Sequence, residues 1–170
     1  LRIEAIIFLP AFALNMAASV LVGQNLGSGN PDRASQTGWR IAILGSVLLT
    51  VLASIIFFWA EECASFLTDD PAVLEETTRY LRINMFSEPF MALSLILGGG
   101  LQGAGDTRGS MMVIIIGMWT VRLPLAALLA ITFDLGAAGV WCAMVISMIV
   151  QGTLMSLRFH KGHWKTITFD

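Results

Sequence analysis

Five long apolar runs, separated by polar or glycine-rich breaks, make up most of this chain. They lie at roughly 3–24, 41–60, 81–101, 111–133 and 136–157, each about 20 residues, the helix length that crosses about 30 Å of hydrocarbon. In lipid every backbone N–H and C=O must be bonded internally, which a helix does within its own segment. The alternating strands of about ten residues that a membrane β-barrel requires do not occur. The pattern predicts an all-α membrane protein with five transmembrane helices. Pro10, Pro89 and Pro124 fall inside three of the runs. Each lacks an N–H and crowds the carbonyl four residues back, so each marks an expected helix kink.

Composition agrees with a membrane class. Of 170 residues, 56% are hydrophobic and 13% charged, about half the usual charged share of a soluble domain. A net charge of −2 leaves no basic surface for nucleic acid. Cys63 and Cys142 are far apart with no CxxC spacing and read as free thiols. His160 and His163 form an HxxH in a basic tail with no acid or cysteine beside them, which reads as a solvated tail rather than a metal site. No His/Asp, HExxH or GxSxG constellation points to an enzyme, and no cofactor is expected. The first apolar run continues to Val22, too long for the core of a signal peptide, and the chain begins at Leu1. It reads as starting inside a larger protein.

Basic residues set an orientation. Arg33, Arg40, Arg108, Arg158, Lys161 and Lys165 fall on the side of the C-terminal tail; Arg2, Arg79 and Arg82 fall on the other, with an acidic loop holding Glu61, Glu62, Asp69, Asp70, Glu75 and Glu76. The positive-inside rule puts the tail in the cytoplasm. Trp39, Trp59, Trp141 and Trp164 lie near run ends, where an aromatic belt would sit.

Two turns on the tail side look alike: GQNLGSGNPDRA (Gly23 to Ala34) and LQGAGDTRGS (Leu101 to Ser110). Each has Gly-small-Gly, then Asn or Asp, then Arg. Without GxGxxG or GxxxxGK[ST], and with no strand before them, they read as tight helix–loop–helix turns in which Asp106 can cap the next helix.

The stretch FLPAFALNMAASVLVGQNLGSGNPDRA resembles a signature of the multidrug and toxic compound extrusion (MATE) family, as does GGGLQGAGDTRGSMMVIIIGMWTVRLPLAALLA. The FLTDDPAV loop between them and the RFHKGHWK tail follow in the right order, so the resemblance covers nearly the whole chain. It implies a twelve-helix, two-lobe transporter of which residues 1–170 are part of the C-terminal lobe, helices eight to twelve. It also implies an antiporter in the cell membrane that exports organic cations in exchange for protons or sodium ions, with the N-terminal lobe as its missing partner and the C-terminus cytoplasmic. These five helices alone are expected to be inactive. A lipid-linked saccharide flippase of the same superfamily is an alternative, though its cavity should carry several basic residues. A non-transporting membrane scaffold is another.

Ionisable groups at membrane depth are functional hypotheses by default. Glu88, about seven residues or 10 Å into the third run, reads either as an interfacial carboxylate near Arg79 or Arg82 or as a cation or proton site. Pro89 next to it would free the Met85 carbonyl as a further oxygen ligand. Arg122, near the middle of the fourth run, must find a partner or water; a direct or water-bridged pair with Glu88 is one expectation, a brace at the Pro124 bend the other. Glu4 reads as an interfacial charge, and the resemblance raises it because some members carry a functional acid early in helix eight. Some also carry an acid on helix ten one turn deeper than Glu88, where this chain has Met91. Asn15, Gln24 and Gln151 read as interhelical hydrogen-bonding groups. Met85, Met91, Met118, Met144 and Met148 read as packing or lipid contact, or as the lining of an adaptable pocket.

Overall fold

The structure is a computed structural model that describes residues 2–65 and 70–166, with side chains from residue 5 onward. Part of the acidic loop, including Asp69, lies outside the described residues. The described chain is helical almost throughout. Helix α1 spans Arg2–Gly27, α2 Pro31–Phe58, α3 Ala60–Ser65, α4 Pro71–Asn84, α5 Glu88–Gly103, α6 Thr107–Ile115, α7 Leu123–Ala127 and α8 Gly136–Lys161. Short 3₁₀ turns cover Met85–Ser87 and His163–Thr166, and π-helical stretches cover Ile116–Arg122 and Leu128–Thr132. Four helices are long and apolar enough to cross a membrane: Ala5–Gly27, Pro31–Phe58, Thr107–Thr132 and Gly136–Lys161.

The third expected span is not one such helix. Residues 81–84 end the amphipathic α4, Met85–Ser87 form the 3₁₀ turn, and α5 adds 16 residues, about 24 Å at 1.5 Å per residue. Pro89 explains the change of winding. It has no N–H to offer the Met85 carbonyl, and the Glu88 N–H bonds that carbonyl instead, one residue early. The expected free carbonyl ligand at Met85 is therefore taken.

Helix α5 is the core of the bundle and packs on α1, α2 and α8. Met91, Ala92, Ser94 and Ile96–Leu101 are all buried. Small residues allow this. A Cβ on Gly103 would overlap the Ser19 carbonyl, and one on Gly23 would come 2.7 Å from the Gly103 oxygen. Asn15 Nδ2 donates to the Leu95 carbonyl at 2.6 Å, fixing the same seam. Such close small-residue contacts, with a polar side chain across them, hold helices together where lipid removes the hydrophobic drive. Outer faces of α1 and α2 expose Leu9, Phe12, Met16, Leu44, Val47 and Val51, an apolar surface of the kind that faces acyl chains.

The two look-alike turns have one geometry. After α1, the Asn30 N–H bonds the Asn25 carbonyl and the Gly29 N–H the Leu26 carbonyl; after α5, Asp106 bonds Leu101 and Gly105 bonds Gln102 in the same way. This is the Schellman pattern, which needs a left-handed residue. Gly29 (φ 76) and Gly105 (φ 85) supply it. The next residue stands at the start of the following helix: Asn30 precedes Pro31 of α2 without a side-chain cap bond, whereas Asp106 Oδ1 accepts the Gly109 N–H at 3.1 Å. Arg33 and Arg40 thus lie on α2 rather than in a long loop.

Proline has different effects at the other two sites. Around Pro10 the helix runs on unbroken. Before Pro124 the winding loosens, and the Leu123 N–H reaches back five residues to Met118. The rod Thr107–Thr132 is little buried and packs chiefly on α8.

Candidate functional site

Glu88 opens α5 and is only 4% exposed. It shares a helix row with Ala92, Leu95, Gly99 and Gly103, the row that meets α1 at Asn15 and Ser19. Above it the Ser46 hydroxyl donates to the Pro89 carbonyl at 3.3 Å, tying α2 to this entry. A groove of about 290 Å³ lies beside it, lined by Thr50, Ala53, Phe57, Met85, Phe86 and Pro89. Glu4 belongs to α1, and its side chain lies outside the described residues.

Arg122 sits elsewhere. Its Nε donates to Ser147 Oγ at 2.9 Å, and the hydroxyl of Ser147, fully buried on α8, donates in turn to the Met144 carbonyl at 2.8 Å. The Arg122 Nη2 is buried without a hydrogen-bond partner among the described residues. Among the described residues no hydrogen bond or ion pair is seen between Arg122 and Glu88. Depth along two antiparallel runs suggested that pair, but rotation decides: Glu88 belongs to the α1-facing row of α5, whereas Arg122 projects onto α8.

A half-open groove of about 200 Å³, mostly apolar in its lining, lies between α1, α5, α8 and the fourth rod, with Phe8, Leu95 and Ile114 on its walls. Asn15, Ser94, Gln102, Ser110 and Gln151 line it, with Met91 and Met148. Of the methionines singled out above, these two face this space, Met85 lines the other groove, and Met118 is exposed.

At the tail end lies a two-bond ion pair that no local pattern in the sequence signals. Arg158 at the end of α8 binds Asp106 through Nε–Oδ2 (2.8 Å) and Nη2–Oδ1 (2.9 Å), across 52 residues of chain. Gly109 lies directly under the guanidinium, where any Cβ would collide with it. Trp164, fully buried, stacks on Phe159 and donates to the Phe159 carbonyl. It is a core residue, not a member of an interfacial belt. Trp39 meets Phe159 edge-on, and Lys165 pairs with Asp32 at 3.0 Å.

This bundle, with glycine turns on one side and a buried acid near the other, has close counterparts. The MatE family model matches residues 1–128. The chain belongs to the MatE family. A probable multidrug resistance protein NorM of Thermotoga maritima is 32% identical over 168 residues, which is 97% of this chain and 36% of the relative. One from Pasteurella multocida is 29% identical over 165 residues. The chain therefore spans little more than a third of the curated MatE relatives it matches. Among solved structures, the MATE transporter ClbM in complex with Rb+ superposes with a TM-score of 0.89 at 26% identity, covering 96% of this chain and 39% of that one. The eukaryotic MATE transporter AtDTX14 gives 0.85 at 25% identity, covering 96% of this chain and 36% of its own. With four membrane-length helices, this MatE chain is a multi-pass membrane protein.

Proposed function

We propose that the chain is part of the second lobe of a secondary antiporter that exports organic cations in exchange for protons or sodium ions. The observation that carries this reading is Glu88: a carboxylate buried at the start of the core helix of an apolar bundle. One anionic site can hold a proton, a sodium ion or a drug cation, but only one at a time. Differential occupancy of two conformations by those ligands is what couples their movements. ClbM, solved with Rb+, and the relatives named as multidrug resistance proteins support the same class.

Glu4, which the family resemblance raises, is the second acid to test beside Glu88. Arg122, bonded to Ser147, braces the fourth rod on α8 rather than serving as the counter-charge of Glu88.

In this reading the chain lies in the cell membrane with its tail in the cytoplasm, beside the basic residues of the Gly-turn side. An alternating-access carrier needs two lobes that rock against each other, so these helices alone transport nothing. The test is ethidium efflux by the intact protein in liposomes under an imposed proton or sodium gradient. Gradient-dependent efflux supports the proposal; a well-inserted protein that moves ethidium under neither gradient overturns it.

A further inference from the structure

Asp32 and Lys165 meet at the tail-side end of α2 through a 3.0 Å ion pair, and a shallow groove of about 500 Å³ opens beside them. One face of α2 forms its floor, with Ser35, Gln36, Trp39, Arg40 and Ile43 at the three- and four-residue spacing that keeps side chains together. Arg40 is exposed and makes no hydrogen bond or ion pair among the described residues. Lys165 gives one ammonium N–H to Asp32 and has two left to donate. Two cations against one carboxylate leave the lining with a single positive charge.

The position of the groove decides what meets that charge. Ile43 lies about 4.5 Å beyond Arg40 along the helix axis and Val47 about 10 Å beyond it. Ile43, Leu44, Val47, Leu48 and Val51 are all exposed, and α2 carries the most apolar stretch of the four membrane-length helices. Arg40 and Lys165 therefore sit where the apolar face begins, the level at which headgroups meet hydrocarbon, with the half-buried Trp39 beside them. A metal ion would be repelled by both cations. Free phosphate would match the charge and leave the apolar face bare. A phospholipid answers both: its phosphodiester carries the one negative charge that balances the lining, and its acyl chain covers Ile43 and Val47. A zwitterionic headgroup would bring a second cation up to Arg40; a net negative headgroup does not. Basic pockets at this level of a helix bundle suit anionic headgroups. We propose that this groove binds one anionic phospholipid, its phosphate held by Arg40 and Lys165 and its acyl chain laid along the outer face of α2. Such a site is independent of any coupling role for Glu88.

The test is native mass spectrometry of the intact protein in detergent, given phosphatidylglycerol or phosphatidylcholine in mixed micelles. Phosphatidylglycerol should be retained several-fold more than phosphatidylcholine. Arg40→Gln should abolish most of that preference; because Arg40 bonds nothing in the fold, the variant should melt like the unaltered protein. Arg108→Gln, which removes an exposed charge outside the groove, should leave the preference intact. Equal retention of the two lipids overturns the proposal. So does a preference that survives Arg40→Gln, or one that Arg108→Gln lowers as much, which would be a general effect of charge. Displacement of the lipid by inorganic phosphate, but not by chloride at equal ionic strength, would mark a site for soluble phosphate and overturn the lipid assignment.

Discussion

Arg158 holds Asp106 in a two-bond clasp while the same carboxylate caps α6 through the Gly109 N–H. One acid thus fixes both the start of the fourth rod and the end of α8. Charge-assisted, paired hydrogen bonds of this kind are among the stronger polar contacts. Asp106→Ala removes cap and clasp together and should lower stability by about 2 kcal/mol or more, read as thermal unfolding in detergent. Arg158→Ala should cost less, because the cap survives and Arg158 is partly exposed. Gly109→Ala should displace the guanidinium, and its cost should shrink in an Arg158→Ala background. Additive effects of those two changes would show that Gly109 is not tied to the clasp.

The α1–α5 seam depends on missing side chains. Gly103→Ala places a methyl on the Ser19 backbone and should cost roughly 2–3 kcal/mol, since neither helix can give way without opening the core. Gly27→Ala meets nothing within 4 Å and should be neutral or add up to about 1 kcal/mol through helix propensity. Similar losses at both glycines would contradict the close approach.

Ser147 is the bonded partner of Arg122. Ser147→Ala should destabilise the protein by about 1–3 kcal/mol, because it leaves a guanidinium donor unpaired at membrane depth. In an Arg122→Met background the same change should be nearly silent, as no charge is then stranded. An equal cost in both backgrounds would remove the pair from the packing of the fourth rod on α8.

Local features were the legible ones. Gly-small-Gly before Asn or Asp spells out a left-handed turn, which Gly29 and Gly105 both form, and the cap that follows is made by Asp106. Long apolar runs announced long helices. The third run is wound in three pieces, which hydropathy does not register: α4 carries Glu75, Glu76, Arg79 and Arg82 toward it, and Pro89 resets the turn just before α5. Contacts between distant runs were not legible. Depth alone placed Glu88 near Arg122, but helix rotation assigns them to different neighbours. Asp106 and Arg158 meet only because α5 and α8 run parallel, with Gly152 against Phe90 and Phe159 near Gly100. Trp164 looked interfacial from its place near a run end, yet the left-handed turn at Gly162 (φ 72) folds it back onto Phe159.

The most direct measurement is gradient-driven ethidium efflux by Glu88→Gln in the intact protein, beside the unaltered protein inserted to the same level. Glutamine keeps the shape of the side chain and removes its charge, so efflux should fall sharply while insertion and thermal stability stay close to normal. Adding Arg122→Gln should restore nothing, because Arg122 is bonded to Ser147 rather than to Glu88. Efflux by Glu88→Gln at the unaltered rate, under both proton and sodium gradients, would contradict a coupling role for this carboxylate.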